Sequence, residues 1–315
     1  MPQGARRGSW LFAGMLALLV AATSLAPLAA AERERKVLYI GIDGCRFDAL
    51  TVANTPHLDR VLENGCYTDQ CLILGQRYRE NDTISGPGWS TILTGVWADK
   101  HGVNDNTFVG KNYEAYPHIF ARLKEVRPEA YAASFVTWLP IQENIVSGAD
   151  VAMSFAPDGN DYSGADEQAA RHSAEVLRTG QPTIVFCYIG QVDETGHKVG
   201  FHPSVKDYIA AIEQADRLVG ELIAAVESRP TYEQEEWLTL VTSDHGGRGT
   251  SHSKGHDVPE IYNSFAIVSG PAARRGRLGE TVHLVDVPVT ALAYLVPELK
   301  DEWKLDGRPI GLAPR

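Results

Sequence analysis

Short apolar runs alternate along the chain with segments whose apolar residues recur at helical spacing. Four runs dense in β-branched and aromatic residues predict buried strands over residues 36–42, 183–190, 237–242 and 264–269. Amphipathic patterns between them predict helices over residues 116–126, 166–178 and 204–227. This alternation predicts an α/β domain with a largely parallel central sheet flanked by helices.

Polar side chains follow three of these predicted strands. Asp43 comes after the first strand, Asp193 after the second, and Asp244 with His245 after the third. In doubly wound sheets, functional residues gather beyond the carboxyl ends of the strands. We therefore expect these side chains to converge at one edge of the sheet.

Carboxylates and imidazoles occur together around these positions. Asp193 and His197 stand four residues apart in what reads as a loop after a strand, and two further histidines follow Asp244. Carboxylate oxygen and imidazole nitrogen are ordinary zinc ligands. Each pair alone is a weak signal, because Asp244 could cap a turn and the later histidines could belong to a solvated loop. Together the groups suffice for two zinc ions, or for other divalent metals: Asp43, Asp193, His197, Asp244, His245 and His252, with His256 as the alternative to His252.

Ser85 is the candidate nucleophile. It precedes Gly86-Pro87-Gly88 and an apparent helix start at Trp89. A hydroxyl at a helix N-terminus can meet an arriving phosphate, which the helix dipole favours, and a neighbouring zinc ion would lower its pKa. By itself, such a serine is equally an ordinary helix N-cap.

The overall charge narrows the range of partners. The chain has 29 Lys and Arg against 40 Asp and Glu, and its net charge is −11. An acidic surface disfavours nucleic-acid binding. It does not exclude a small anionic substrate, because bound metal can reverse the local field.

The N-terminus has the pattern of a secretory signal peptide. Arg6 and Arg7 precede an apolar run over residues 10–28 and the small residues 29–31. We expect cleavage after Ala31, a secreted or periplasmic protein with no stable membrane span after cleavage, and a single hydrolase domain over residues 32–315. An uncleaved N-terminal membrane anchor is the alternative, because the apolar run is about long enough to span a bilayer.

Four cysteines are present: Cys45, Cys66, Cys71 and Cys187. In an oxidising compartment we favour a disulfide between Cys66 and Cys71, which requires the chain to turn between them. Cys187 lies within an apolar run and is expected to be a buried small hydrophobe.

A set of motifs appears in one order along the chain. It comprises Asp43-Gly44, the Ser85 loop, Lys100-His101-Gly102-Val103, Asp105-Asn106, Asp193 with Gly196-His197, and Ser243-Asp244-His245-Gly246. This order and spacing resemble the alkaline phosphatase superfamily, and within it the nucleotide pyrophosphatase/phosphodiesterase branch, from Val37 to about Pro271. The resemblance implies an alkaline phosphatase-like three-layer sandwich.

The resemblance also implies roles for individual residues. One zinc ion would be held by Asp43, Asp244, His245 and the Ser85 oxygen, and the second by Asp193, His197 and a later histidine, preferably His252. Ser85 would attack a small-molecule phosphoester and form a phospho-serine intermediate. Asn106 would donate to a phosphate oxygen.

The reaction type is not fixed by these residues alone. The branch commonly has threonine where this chain has Ser85, so a phosphomonoesterase on the same site is the main alternative, with Lys100, Arg77 and Arg79 as candidate extra cations. A sulfatase is disfavoured because no arginine follows the Ser85-Gly86-Pro87 segment as in that group. A phosphonate hydrolase and a metal-stabilised binding protein with an inert site also stay open.

Overall fold

A nine-stranded sheet forms the centre of the described chain. The computed structural model describes Gly8, residues 33–146 and residues 148–314, so the expected signal peptide lies, apart from Gly8, outside the described residues. The strands are β1 Glu34–Ile42, β2 Gly65–Leu72, β3 Ala132–Val136, β4 Val151–Ser154, β5 Ile184–Ile189, β6 Glu235–Thr242, β7 Asn263–Ser269, β8 Gly276–Arg277 and β9 Val282–His283.

The sheet is parallel except at one strand. The strand order is β4-β3-β5-β1-β6-β7-β2-β8, with β9 also paired to β2. Among the described strands, β7 alone runs antiparallel to its neighbours β6 and β2. The strands β5, β1 and β6 are adjacent and parallel, so their carboxyl ends lie side by side.

Helices cover both faces of the sheet. They are α1 Phe47–Leu50, α2 Pro56–Glu63, α3 Ser85–Thr94, α4 Ala98–His101, α5 Ile119–Val126, α6 Ser163–Thr179, α7 Gln191–Val199, α8 Lys206–Glu227, α9 Pro259–Tyr262 and α10 Asp286–Leu295, with a π-helical turn at Ile141–Ile145 and 3₁₀ turns at Tyr232–Gln234 and Asp301–Trp303. In the described part of the chain, no helix is both long and apolar enough to cross a membrane.

Alternating side chains of β1 build two separate cores. Val37 and Tyr39 belong to one apolar cluster with α3, α5 and α10, whereas Leu38 and Ile40 belong to another with α1, α2, α6 and α8. The fold is therefore a three-layer α/β/α sandwich, and the predicted fold class is confirmed.

The structure corrects the expected start of the nucleophile helix. Helix α3 begins at Ser85 itself, four residues before Trp89. Glycines lower helix propensity, so Gly86 and Gly88 resembled a loop. A Cβ on Gly88 would lie only 2.8 Å from the Asp244 Cβ, so the glycine is what lets this helix end approach the site.

The expected disulfide is not formed. Cys66 and Cys71 are both free and buried, and both lie in strand β2. The chain stays extended between them, at roughly 3.3 Å per residue, which keeps the sulfurs too far apart to bond. A register shift between Thr68 and Cys71 turns both side chains toward the same core cluster despite their odd spacing. Cys187 is buried, as expected.

Candidate active site

Three adjacent strands deliver the acidic side chains to one edge of the sheet. Asp43 directly follows β1, and Asp244 and His245 follow β6. The segment after β5, expected to be a loop, is the helix α7, and its four-residue spacing places Asp193 and His197 on one helix face. The three carboxylates are all buried.

Each of these carboxylates has one buried oxygen without a hydrogen-bond partner. They are the Oδ1 atoms of Asp43 and Asp193 and the Oδ2 atom of Asp244. A buried, unpaired carboxylate oxygen carries a large desolvation cost. Three such oxygens in two adjoining groups of potential ligands are what a site for cations requires.

The histidines are oriented as metal ligands. His197, His245 and His252 each place Nδ1 within hydrogen-bond distance of a backbone carbonyl, which as acceptor requires Nδ1 to carry the proton. In the neutral ring, Nε2 is thus left with a lone pair, and in His245 and His252 this atom lies on the side of the carboxylates. The Nδ1 contacts are to Thr250 O at 3.0 Å, Gly246 O at 2.9 Å and Thr83 O at 3.1 Å, respectively.

The ligand atoms fall into two groups. In the first, His245 Nε2 lies 3.5 Å from Asp43 Oδ1 and 3.2 Å from Asp244 Oδ2. In the second, His252 Nε2 lies 2.9 Å from His197 Nε2 and 3.5 Å from Asp193 Oδ1. Ligand atoms of His245, Asp193 and His252 also lie within 4.8 Å of one another, so the two groups adjoin at His245.

Burial governs the protonation of these groups. It raises the pKa of Asp193 to about 7 and also raises that of Asp244, with the charge of Asp43 as the next cause in each case. Burial lowers the pKa of His245 to about 3 and that of His252 to about 2. The two buried imidazoles are therefore neutral at pH 7, as ligands must be, and a cation would relieve the repulsion among the carboxylates.

His197 differs from the other two histidines. Its hydrogen bond to Asp193 raises its pKa to about 9, and its side chain is 39% exposed. Without a cation, His197 and Asp193 are direct partners, with His197 Nε2 3.3 Å from Asp193 Oδ2.

Two donors fix the orientation of Asp43. Trp89 Nε1 donates to Asp43 Oδ2 at 2.8 Å, and the Tyr188 hydroxyl donates to the same oxygen at 2.6 Å. The other oxygen is left for the cation site. Trp89 is buried and also holds this candidate ligand in place; a Cβ on Gly41 would lie 2.3 Å from its ring.

Ser85 is the first residue of α3 and is nearly buried. Its Oγ lies 3.5 Å from His245 Nε2 and caps no backbone group, since Ile84 holds the N-cap position. Asn106 Oδ1 accepts a hydrogen bond from the Gly86 backbone N–H at 2.7 Å. The Asn106 amide nitrogen is therefore free to donate to a substrate oxygen.

His256 is placed differently from His252. Its Nε2 lies 2.8 Å from the Asn81 carbonyl oxygen, and it belongs to neither group of ligand atoms. The structure brings His252, and not His256, together with Asp193 and His197.

The site opens into a cavity of about 130 Å³. Its lining combines the predicted residues with groups that the sequence did not single out: Asp43, Ser85, Asn106, Asp193, His197 and His252, then Trp138, Tyr162, Tyr188, Gly190 and Glu194. No Lys or Arg occurs among these described lining residues. Trp138 follows the carboxyl end of β3. Since residues after the carboxyl ends of parallel strands gather at the functional edge of the sheet, this position could have identified Trp138 as a lining residue.

The three candidate cations are engaged elsewhere. Lys100 Nζ lies 2.6 Å from Asp306 Oδ1, and Arg77 pairs with Asp306 and Asp99. Arg79 pairs with Asp257 at 3.2 Å. None of these three side chains lines the cavity.

A further carboxylate supports the helix that carries two candidate ligands. Asp166 is buried and accepts hydrogen bonds from the backbone N–H groups of Gly190 and Gln191, both at 2.9 Å, at the start of α7. The Thr137 hydroxyl also donates to it, at 2.8 Å. Asp166 thus anchors α7 through its N-terminal turn.

Comparison with known proteins identifies the family. Residues 37–269 match the family model of type I phosphodiesterase / nucleotide pyrophosphatase. The chain belongs to this family. Its members are hydrolases that act on phosphoester bonds, so the predicted superfamily and reaction class are confirmed at the family level.

Individual relatives are distant. Ectonucleotide pyrophosphatase/phosphodiesterase family member 7 of Mus musculus is 25% identical over 270 residues, which cover 78% of this chain and 57% of the relative. Bis(5′-adenosyl)-triphosphatase ENPP4 of Homo sapiens is 25% identical over 236 residues, which cover 67% of this chain and 47% of the relative. The chain thus spans about half the length of the curated relatives it matches.

Solved structures share the fold. Murine ectonucleotide pyrophosphatase/phosphodiesterase 5 superposes with a TM-score of 0.61 at 17% identity, over 88% of this chain and 97% of that chain. A 2-O GAG sulfatase superposes with a TM-score of 0.70 at 14% identity, over 89% of this chain and 73% of that chain. These likenesses establish an alkaline phosphatase-like fold.

Proposed function

We propose that the protein is a two-zinc phosphodiesterase that acts through a covalent intermediate on Ser85. The observation that carries this proposal is the grouping of three buried, unpaired carboxylate oxygens with three imidazole Nε2 atoms, beside and within the lining of the cavity that Ser85 also lines. Asp43, Asp244, His245 and Ser85 would hold one metal ion, and Asp193, His197 and His252 the other.

Zinc suits this donor set. Zinc binds neutral imidazoles, which backbone carbonyls fix here, together with carboxylates. Harder cations such as Mg²⁺ and Ca²⁺ take oxygen ligands alone. When bound, zinc would lower the pKa of the serine hydroxyl and stabilise negative charge on the phosphate and leaving-group oxygens.

The chain's own residues supply the remaining chemistry. Ser85 Oγ forms a bond to phosphorus as the bond to the leaving oxygen breaks, and water then cleaves the phospho-serine ester. The Asn106 amide donates to a non-bridging oxygen as charge develops there. The α3 N-terminus favours the same negative charge.

The absence of Lys and Arg from the described cavity lining favours a diester over a monoester. A phosphomonoester carries one more negative charge than a diester and calls for further cationic contacts. Lys100, Arg77 and Arg79 are held by acidic partners outside the cavity and do not provide them. A phosphomonoesterase therefore remains the second candidate.

A sulfatase and an inert binding protein have less support. The likeness to sulfatases concerns the fold alone. The sulfatase motif has an arginine two residues after its proline, and here Gly88-Trp89 follows Pro87. An inert binding site would have no need of a buried serine hydroxyl beside a candidate metal ligand, and Ser85 lies there.

We also propose that the protein is exported. The signal-peptide pattern of residues 1–31 supports this proposal. Determining the first residue of the processed protein would test it. Intact-mass measurement of protein from the periplasm or medium should show a chain that begins at Glu32. A full-length chain retained in the membrane would favour the anchor instead.

Turnover by the zinc-loaded protein tests the function. We expect a higher kcat/KM for bis(p-nitrophenyl) phosphate than for p-nitrophenyl phosphate. Ser85→Ala should lower diester turnover by roughly a thousandfold or more without loss of zinc. The matched control is Ser253→Ala, an exposed serine beside His252, which should retain activity. Faster monoester turnover would favour the second candidate, and bound zinc without any turnover would favour an inert site.

A further inference from the structure

The cavity has two distinct ends. Ser85 lies at the His245 end, with its Oγ 3.5 Å from His245 Nε2. The His252 ring contacts the rings of both other histidines, with centroids 3.7 Å from His245 and 4.7 Å from His197. His197 and Glu194 also line an adjoining depression whose lining does not include Ser85, so they mark the end of the cavity away from Ser85.

This arrangement gives the leaving group a direction. In an in-line displacement, the leaving oxygen departs on the side opposite the attacking oxygen. A phosphoester attacked by Ser85 therefore directs its leaving group toward His197 and Glu194.

A depression of about 570 Å³ continues from that end and shares Glu194 and His197 with the cavity. Its other charged lining residues are Asp161 and Lys198. Hydrogen bonds from Ser163 and then the charge of Lys198 lower the pKa of Asp161, so the two opposite charges in this depression act on one another.

Glu194 is the remaining acidic residue of this depression. The Asn160 side chain donates to its Oε2 at 3.1 Å, and in the described part of the chain no Lys or Arg pairs with it. Its half-buried position keeps its charge from being fully screened by solvent. The charge of His197 does act on Glu194, but His197 would be neutral as a metal ligand. The path of the leaving group thus passes a carboxylate with which no Lys or Arg of the described chain pairs.

We infer that Glu194 is a specificity residue that disfavours polyanionic leaving groups such as pyrophosphate. The substrates would be phosphodiesters whose leaving group is neutral or cationic. This inference rests on the proposed function, because it takes Ser85 as the nucleophile. Its physical basis is like-charge repulsion between Glu194 and a leaving group that carries several negative charges.

Glu194→Gln tests the inference. The substitution removes the charge and keeps an oxygen that can accept the hydrogen bond from Asn160. The two substrates are ATP and the p-nitrophenyl ester of AMP, which share the transferred adenylyl group and differ in the charge of the leaving group. We expect Glu194→Gln to raise kcat/KM for ATP relative to the ester by about fivefold. The control Glu221→Gln, at an exposed position of α8, should leave the ratio unchanged.

A binding measurement tests the role of Glu194 separately from the proposed function. Calorimetry with ATP on zinc-loaded Ser85→Ala and on the Ser85→Ala/Glu194→Gln double variant should show tighter binding by the double variant. Ester turnover with an unchanged substrate ratio, or equal ATP binding by the two variants, would overturn the role of Glu194 alone. No ester turnover by the unmodified protein would overturn the proposed function, and the calorimetric comparison would still decide whether Glu194 repels ATP.

Discussion

At the scale of single residues, Asp43 shows how ligand geometry depends on distant parts of the chain. It ends β1, yet its orientation is set by Trp89 on α3 and Tyr188 on β5. The position of Asp43 after an apolar run could be predicted from the sequence. Its two donors could not, because an indole and a phenol inside apolar stretches resemble ordinary core residues.

Trp89→Phe should weaken zinc binding because it removes one of the two donors that fix Asp43. Loss of a hydrogen bond to a ligating carboxylate typically costs about 10- to 100-fold in metal affinity. Competition with a chromogenic chelator would measure the change. Tyr39→Phe is the matched control, because the Tyr39 hydroxyl donates to Ile92 O within the same core and away from Asp43. Equal zinc affinity in both variants would show that Trp89 only packs.

The histidines mark another limit of sequence reasoning at this scale. His252 and His256 lie four residues apart in one polar segment, and nothing local distinguishes them. Contacts with a distant segment do, because the Thr83 carbonyl turns His252 toward Asp193, whereas the Asn81 carbonyl contacts the Nε2 atom of His256. Both carbonyls precede Ser85 in the chain, so the segment that leads to the candidate nucleophile orients both histidines.

At the scale of elements, apolar runs predicted β1, β5, β6 and β7, which are buried and rich in β-branched residues. Strand β2 was missed because polar residues interrupt it and a register shift breaks its alternation. Helix α7 was missed because it carries Asp193, Gly196 and His197 in place of a continuous apolar stripe. The two helices that carry candidate site residues, α3 and α7, thus conform less to local propensity than the strands that lead to the site.

Asp166→Asn should loosen α7 and, through it, the second metal group. The carboxylate accepts two backbone N–H groups at the helix start, so its loss should cost about 1–2 kcal/mol in the free energy of unfolding, measured by urea titration. It should also weaken zinc binding, because Asp193 and His197 lie on that helix.

Asp216→Asn provides the matched control. Asp216 is equally buried and accepts the backbone N–H groups of His57 and Leu58 at the start of α2, away from the cavity. We expect a similar loss of stability without a change in zinc affinity. If both variants lost zinc affinity equally, Asp166 would have no specific role in positioning α7.

At the scale of the whole molecule, the parallel sheet explains why the site could be foreseen. Adjacent parallel strands must end at one edge, so polar residues after three apolar runs were bound to meet there if those strands were neighbours. The order β5-β1-β6 makes them neighbours. The cavity lining could not be foreseen in the same way, because Trp138 and Tyr162 reach the cavity from loops and Glu194 from the unpredicted helix α7.

The stability of the metal-free protein should fall as the pH rises from 7 to 9. The pKa of His197 is raised from 6.5 to about 9 by its bond to Asp193, so the stability that this raised pKa contributes is present below pH 6.5 and is lost as the pH rises through 9. The raised pKa of Asp193 and the lowered pKa values of His245 and His252 change the stability at or below about pH 7, and therefore below the range of this prediction.

Thermal unfolding after chelator treatment measures this effect. The melting temperature should decrease between pH 7 and 9 in the unmodified protein and change less in His197→Gln. Saturating zinc should remove the decrease, because a metal-bound His197 is neutral throughout. A metal-free melting temperature that stayed constant over this range would contradict the His197–Asp193 pairing.

Capture of the covalent intermediate tests the central claim most directly. The zinc-loaded protein would be mixed with bis(p-nitrophenyl) phosphate, quenched in acid within the first turnover, and digested for mass spectrometry. We expect a p-nitrophenyl phosphate group on the peptide that contains Ser85, and no such adduct in Ser85→Ala. Turnover with an adduct on another residue, or undiminished diester turnover by Ser85→Ala, would contradict Ser85 as the nucleophile.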